Sequence, residues 1–254
     1  ITKTINQVLQ TPGRAVQTVA QASFDAWVKY YRQDENTPNA TVSYYTKGSL
    51  VALCLDLALR REGKTSLDEV MRTLWLRCQG GPMSQDDLLA VLKELSDRPF
   101  DTEVARWVHS TAELPLAELL EANGVLLKAE TPQWAQRLGL RVGENHSVQI
   151  KTVLRGGPAE KAGMAAGDEW LGIDVKGQGW RISKLEDVAF YAGTETSLTA
   201  LVARDGRLLR LPLELSARSA STPPKKTSRT TAATVPDTVS LSIANAATLG
   251  RWLN

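Results

Sequence analysis

Histidine and cysteine are scarce in this sequence of 254 residues, and their scarcity excludes several kinds of site. The only histidines are His109 and His146, and the only cysteines are Cys54 and Cys78. Neither histidine is followed by glutamate, so a His-Glu-x-x-His zinc motif is absent, and the four residues lack a recognisable metal-ligand spacing. Two cysteines also cannot form a disulfide framework. We therefore assign no metal-binding residues to this chain.

Other signatures are missing too. The sequence contains no Gly-x-Ser-x-Gly elbow and no phosphate-binding loop. No apolar run reaches about 18 residues, which excludes a predicted membrane span. A net charge of +2 gives no general attraction to nucleic acid. The opening ITKTINQVLQ lacks an initiator methionine and a signal-peptide pattern, which fits a mature form or a piece of a longer protein and leaves the compartment open.

The first part of the chain, residues 1–115, is predicted to be all-helical. Apolar positions recur at three- and four-residue steps over 14–31, which indicates a helix with one buried face. A second helix is expected from near Lys47 to about Arg61, apolar on every side and so buried among other helices. The apolar positions of the first predicted helix are Val16, Val19, Ala20, Phe24, Trp27, Val28 and Tyr31.

The pattern of apolar and polar residues changes in the second part of the chain. Residues 122–215 alternate like strands and include two short helical patterns, which predicts a small β domain. Residues 216–236 are rich in Ser, Thr, Ala and Pro and are predicted to be a flexible linker. Residues 237–254 regain apolar positions and are expected to dock back on the body. The expected fold is therefore α+β and multidomain, a helical bundle followed by a small β domain.

The stretch LRGGPAEKAGMAAGDEWLGID, residues 154–174, resembles the core signature of bacterial PDZ domains. The resemblance implies a groove that captures an extended peptide, or a protein C-terminus, beside a sheet edge. The family's carboxylate-binding loop corresponds to Arg137, Leu138, Gly139 and Leu140, whose backbone amides would face the carboxylate. In the second short helix, Leu185 and Val188 are the candidate groove-wall residues. For each of these leucine and valine side chains, an ordinary core position is the alternative.

Residues Tyr45-Thr46-Lys47-Gly48 match the Tyr-x-Lys-Gly motif of gluzincin aminopeptidases. Together with the preceding SFDAWVKYYR and the following LVALCLDL, ahead of a PDZ-like domain, the chain resembles the C-terminal part of the glycyl aminopeptidase family. The resemblance implies a zinc metallopeptidase whose His-Glu-x-x-His ligands lie in an upstream catalytic region of the same polypeptide. It implies that Tyr45 donates its phenolic hydrogen to the oxyanion of the transition state, and Tyr44 falls outside the motif position.

Three hypotheses about function follow from these patterns. In the first, the chain is the C-terminal fragment of a zinc aminopeptidase, catalytically incomplete alone, and supplies Tyr45. In the second, it is a non-enzymatic module whose PDZ groove binds peptide or protein C-termini. In the third, the PDZ domain packs on the catalytic region or on a sister copy in a homo-oligomer, and its groove is occluded. The first and third are compatible, and we favour that pair.

Overall fold

A computed structural model describes residues 1–215 and 238–253 of the chain. The first unit is helical, with a 3-10 turn at Pro12–Ala15 and a π-helical turn at Ala26–Tyr30. Its regular elements are α1 (Thr2–Leu9), α2 (Val19–Phe24), α3 (Thr37–Ala40), α4 (Tyr44–Glu62), α5 (Leu67–Cys78), α6 (Gln85–Ser96), α7 (Asp101–Trp107), α8 (Leu116–Ala122) and the strand β1 (Val125–Glu130).

The central helix of the first unit is α4, which is apolar around most of its circumference. Ser43 caps its N-terminus by accepting a hydrogen bond from the Thr46 amide at 3.3 Å, and Gly63 ends it in the left-handed conformation. This cap places the helix start at Tyr44, one turn before the predicted start at Lys47. Buried residues of α4 that belong to the first core are Leu50, Val51, Cys54, Leu55, Leu57, Ala58 and Leu59.

The continuous helix predicted over 14–31 is wrong. Thr18 starts a separate helix through a reciprocal capping box with Gln21, and the π turn then interrupts the α-helical spacing. The apolar stripe of the prediction is consequently not a core face. Its exposed members are Val16, Phe24, Trp27, Val28 and Tyr31.

The second unit is an antiparallel sheet with three short helices. The sheet path is β2-β3-β4-β6-β7, and β5 pairs with β4. Its elements are α9 (Trp134–Leu138), β2 (Leu140–Glu144), β3 (Val148–Val153), α10 (Pro158–Lys161), β4 (Glu169–Val175), β5 (Gln178–Arg181), α11 (Leu185–Ala192), β6 (Ser197–Arg204) and β7 (Arg207–Glu214). A separate core fills this unit, with Trp170, Ile150, Ile173 and Leu213 among its fully buried side chains.

The last described elements are β8 (Thr238–Ile243) and α12 (Ala246–Leu253). Strand β8 pairs antiparallel with β1, from Val125 opposite Ile243 to Glu130 opposite Thr238. Val125 and Val239 are buried in the first core, so this ribbon belongs to the helical unit. The β domain expected from residue 122 therefore has its six-stranded sheet only from Leu140 onward. The linker expected over 216–236 lies outside the described residues.

Side-chain hydrogen bonds join the two units. The buried amide of Asn39 in α3 donates to the Val153 carbonyl at 2.8 Å and accepts from the Arg155 amide at 2.9 Å. On another side, Thr238 donates to the side-chain oxygen of Gln136 in α9 at 2.6 Å. Both sets of contacts lie near Gly139. Leu154, which stands between Val153 and Arg155, donates its amide to the Gly139 carbonyl at 2.7 Å.

The expected α+β architecture, a helical region with a β domain, is confirmed by this arrangement. Within the described ranges, each helix is too short or too polar to cross a bilayer.

Candidate functional site

Tyr45 lies in the first turn of α4, where the Ser43 cap fixes the direction of the chain. Its side chain is 58% exposed, although its neighbour in the motif, Lys47, is only 3% exposed. Two residues apart on a helix are about 200° apart, so Tyr45 faces outward when Lys47 faces the core. Within the motif, Tyr45 therefore points to the surface and Lys47 points to the core.

Four tyrosines cluster at this helix start. The rings of Tyr44 and Tyr45 have centroids 4.3 Å apart, and Tyr30 contacts Tyr44 edge to face at 5.4 Å. The Tyr31 hydroxyl lies 3.3 Å from the hydroxyl of Tyr44 and 3.3 Å from that of Tyr45. We call Tyr30, Tyr31, Tyr44 and Tyr45 the tyrosine cluster. Three phenolic hydroxyls therefore converge on one small area of the surface.

The hydroxyl contacts shift the acidity of two of these phenols in opposite directions. The hydrogen bond with Tyr31, followed by that with Tyr44, lowers the pKa of Tyr45 below its usual value. The hydrogen bond with Tyr31, followed by that with Tyr45, raises the pKa of Tyr44. A phenol that accepts a hydrogen bond has its ionised form stabilised, and one that donates has its neutral form stabilised. Tyr45 is consequently the more acidic of the pair.

Lys47 holds the helix start against the chain beneath it. Its ammonium group donates to the Arg14 carbonyl at 3.3 Å, and Arg14 itself pairs with Glu113 at 3.0 Å. Burial lowers the pKa of Lys47, an effect that the Glu113 carboxylate opposes. These contacts fix Lys47 at the start of α4.

Gly48 is a different case, because its own structure does not require glycine. A Cβ built on Gly48 would meet no atom within 4 Å. A glycine inside a helix costs about 0.5–1 kcal/mol relative to alanine. Gly48 lies one turn from Tyr45 on α4, and none of the described residues fills the space where its side chain would be.

An apolar surface adjoins the tyrosine cluster. We define the aromatic face as Phe24, Trp27, Val28, Tyr31 and Tyr45. Phe24 is 90% exposed and Trp27 is 80% exposed, and the ring of Trp27 lies 5.2 Å from that of Tyr31. Large apolar side chains rarely gather at an exposed surface unless another surface covers them.

The second candidate region is the loop between α9 and β2. Arg137 places its guanidinium 4.2 Å from the centre of the Trp134 ring. Leu138, Gly139 and Leu140 are buried, and both leucine side chains lie in the core of the second unit. Gly139 has a φ of +71°, and its amide donates to the Gln136 carbonyl at 3.1 Å. That amide is engaged within the chain rather than turned toward a ligand.

Strand β2 and helix α11 correspond to the two walls of the peptide groove that the PDZ resemblance implies. Along the described sheet path β2 pairs with β3 alone, which leaves it as an edge strand. The Leu185 amide at the start of α11 donates to the Glu144 carboxylate at 2.8 Å, which ties the helix to the end of β2. The side chains of Leu185 and Val188 are buried in the core.

The described residues do not fit a zinc site. Within ranges 1–215 and 238–253, His, Cys, Asp and Glu nowhere form a group of three or more that could hold a metal ion. His109 contacts the Gln85 side chain at 2.5 Å. Cys54 is buried, and burial raises its pKa to about 12, which makes it a poor thiolate ligand.

Sequence reasoning missed Tyr30 and Tyr31 as site residues. It placed the second on a buried helical face, because period alone does not distinguish a core stripe from an exposed one. A usable signal was present. Four aromatics, Phe24, Trp27, Tyr30 and Tyr31, fall within eight positions of a chain that is 6% aromatic overall.

Comparisons with known proteins bear on the whole arrangement. Residues 1–51, which include the Tyr45-Thr46-Lys47-Gly48 motif, match the family model of the M61 glycyl aminopeptidases. The search of the curated proteins found no match. Among solved structures, an aminopeptidase N family protein from Idiomarina loihiensis is 25% identical, with a TM-score of 0.81 over 99% of this chain and 43% of that one. The chain thus spans less than half the length of that relative.

Two further solved structures align with parts of the chain. The HtrA-type protease AlgW with a decapeptide is 33% identical, with a TM-score of 0.25 over 40% of this chain and 29% of that one. A photosystem II D1 C-terminal processing protease is 19% identical, with a TM-score of 0.26 over 65% of this chain and 42% of that one. Likenesses of this size carry no weight for the fold or function of this chain.

Proposed function

We propose that the chain forms the C-terminal part of a metallo-aminopeptidase. The chain is similar to the glycyl aminopeptidase family, and the match of residues 1–51 to the family model confirms this resemblance. In this role it supplies a transition-state hydrogen-bond donor, Tyr45, to an active site completed by upstream polypeptide. In this proposal the zinc ligands belong to that upstream region.

The exposed side chain of Tyr45, at a capped helix start beside the apolar aromatic face, is the observation that carries this proposal. The exposure of Phe24 and Trp27 supports a surface that another part of a protein covers. The gap at Gly48, one turn from Tyr45, supports close approach of another group. The aminopeptidase-family relative is longer than this chain, which accords with an additional catalytic region.

The chemistry proposed for Tyr45 is electrostatic. When water attacks a peptide carbonyl, negative charge gathers on the carbonyl oxygen, and a preorganised donor stabilises it more than it stabilises the substrate. The phenol of a tyrosine carries a hydrogen that it can donate to such an oxyanion. The N-terminus of α4 carries partial positive charge, which also favours an anion nearby. Docking of the catalytic region on the aromatic face would exclude water and strengthen both effects.

Substitution of Tyr45 by phenylalanine tests this role in the longer protein that contains the upstream region. Removal of one such donor lowers kcat by about two to three orders of magnitude. We expect this loss with an aminoacyl-anilide substrate, with zinc content and melting temperature unchanged. Tyr191→Phe is the matched control, because it removes a tyrosine hydroxyl in α11 of the second unit, outside the tyrosine cluster. If Tyr45→Phe retains more than about a third of wild-type kcat, Tyr45 is not the donor.

We further propose that the second unit is a PDZ domain with a structural role, docked on the helical unit. Two ties support docking: the Asn39 contacts with Val153 and Arg155, and the Thr238 contact with Gln136. Engagement of the Gly139 amide with Gln136 supports an occluded carboxylate loop. Capture of peptide C-termini between β2 and α11, as the PDZ resemblance implies, is the competing role.

A further inference from the structure

Tyr31 has contacts that the role proposed for Tyr45 does not by itself require. Its hydroxyl lies between those of Tyr44 and Tyr45, at 3.3 Å from each. We propose that Tyr31 is a positioning residue of the site, whose hydroxyl donates to the Tyr45 oxygen and leaves the Tyr45 hydrogen directed at the oxyanion. This inference rests on the proposed function, since it assigns Tyr31 a part in the same step.

The backbone that carries Tyr31 is unusual. Its amide donates to the Ala26 carbonyl, five residues earlier, at 3.0 Å, so the helix contains a π turn at this point. Such a turn has one extra residue relative to an α-helix, is rare, and is found frequently at functional sites. The extra residue changes the direction in which the following side chains leave the helix. As a result, the side chains of both Tyr30 and Tyr31 reach the start of α4.

Neighbouring rings hold the Tyr31 side chain. Trp27 contacts it at 5.2 Å, and Tyr30 meets it edge to face at 5.3 Å, with the planes 86° apart. Trp27 and Tyr30 lie in the π-helical turn just before Tyr31, so contacts within this segment set the position of the Tyr31 ring. Contact with α4 is left to the hydroxyl group, which is what a positioning role requires.

The role proposed for Tyr45 fixes the directions of these hydrogen bonds. Each phenolic hydroxyl donates one hydrogen and accepts through its oxygen. If Tyr45 gives its single hydrogen to the oxyanion, Tyr31 must donate in its 3.3 Å contact with Tyr45, and Tyr44 is then the donor to Tyr31. The lowered pKa of Tyr45 and the raised pKa of Tyr44 agree with this order. A hydroxyl that already accepts a hydrogen bond is polarised and donates its own hydrogen more strongly.

The chain itself provides a test that needs neither metal nor substrate. Absorbance titration of tyrosine near 295 nm follows ionisation of the phenols, and the Tyr45→Phe variant identifies the contribution of Tyr45. In Tyr31→Phe, which keeps the ring and loses the hydroxyl, we expect the titration of Tyr45 to move to higher pH. Tyr191→Phe, in α11 of the second unit, is the control and should leave the Tyr45 titration unchanged. An unchanged Tyr45 titration in Tyr31→Phe overturns the proposal.

Kinetics in the longer protein then separate this proposal from the proposed function. We expect Tyr31→Phe to lower kcat about tenfold with KM unchanged, since one hydrogen bond is lost at the donor. A shifted Tyr45 titration together with full activity of Tyr31→Phe, in a protein that Tyr45→Phe inactivates, overturns the positioning role alone. Full activity of Tyr45→Phe overturns the proposed function, and with it the catalytic part of the Tyr31 role.

Discussion

At the scale of single residues, two glycines of the first unit differ sharply in what they permit. A Cβ on Gly13 would lie 2.0 Å from the Thr41 carbonyl oxygen, well inside contact distance. A Cβ on Gly48 would meet nothing within 4 Å. Gly13 is needed because the 3-10 turn packs directly on the backbone that leads into α4. The fold of this chain gives Gly48 no such role.

These two positions make a matched pair of alanine substitutions. We expect Gly13→Ala to destabilise the chain by about 3 kcal/mol, because the backbone at Thr41 must shift. We expect Gly48→Ala to stabilise it by about 0.5–1 kcal/mol, because alanine loses less conformational freedom in a helix. Chemical denaturation of each variant measures both changes. A destabilising Gly48→Ala would contradict the open space described beside Tyr45.

At the scale of elements, the segment from Pro12 to Tyr31 shows where the spacing of apolar residues does not predict the secondary structure. Its apolar spacing predicts one amphipathic helix, but the capping box at Thr18 and the π turn divide it. Capping is local and was visible in the sequence as Thr18 followed by Gln21. The π turn depends on how the segment packs against α4, so spacing within the segment did not reveal it.

A single side chain of α3 carries much of the link between the two units. Asn39 is 6% exposed and bonds to both Val153 and Arg155. Its replacement by alanine leaves the partly buried Val153 carbonyl and Arg155 amide without that partner, and the two lost hydrogen bonds together cost about 1–3 kcal/mol. We expect faster hydrogen exchange at the Arg155 amide in Asn39→Ala, by one to two orders of magnitude.

The matched control for this substitution is Asn145→Ala. Asn145 is exposed in the turn between β2 and β3, so its loss should leave exchange at Arg155 as in the wild type. Equal exchange at Arg155 in Asn39→Ala and wild type would show that the tie does not form in solution.

At the scale of the whole molecule, the chain has two cores, and the second unit is inserted between the strands of a ribbon on the first. β1 leaves the helical unit, and β8 returns to pair with it. Two described contacts tie the inserted unit to this body, that of Asn39 with Val153 and Arg155 and that of Thr238 with Gln136. A domain held in this way suits a structural role better than free reorientation around a ligand.

Peptide binding by the whole chain tests that interpretation. We expect short peptides with a free C-terminus to bind no more tightly than the same peptides with an amidated C-terminus, because the Gly139 amide already donates to Gln136. Isothermal titration calorimetry on the intact chain measures both affinities. A preference of about tenfold or more for the free carboxylate, roughly 1.4 kcal/mol, would instead favour peptide capture.

The sequence by itself determined the features that depend on neighbouring residues. The α+β division, the buried helix α4 and the motif at Tyr45 follow from spacing, capping and a local match, and these do not need the rest of the fold. Only the tertiary structure decided which apolar faces stay exposed, that Tyr31 meets Tyr45, that Asn39 joins the units and that β1 pairs with β8. Each of these is a contact between segments distant in the chain, and periodicity shows that a face is apolar without showing what covers it.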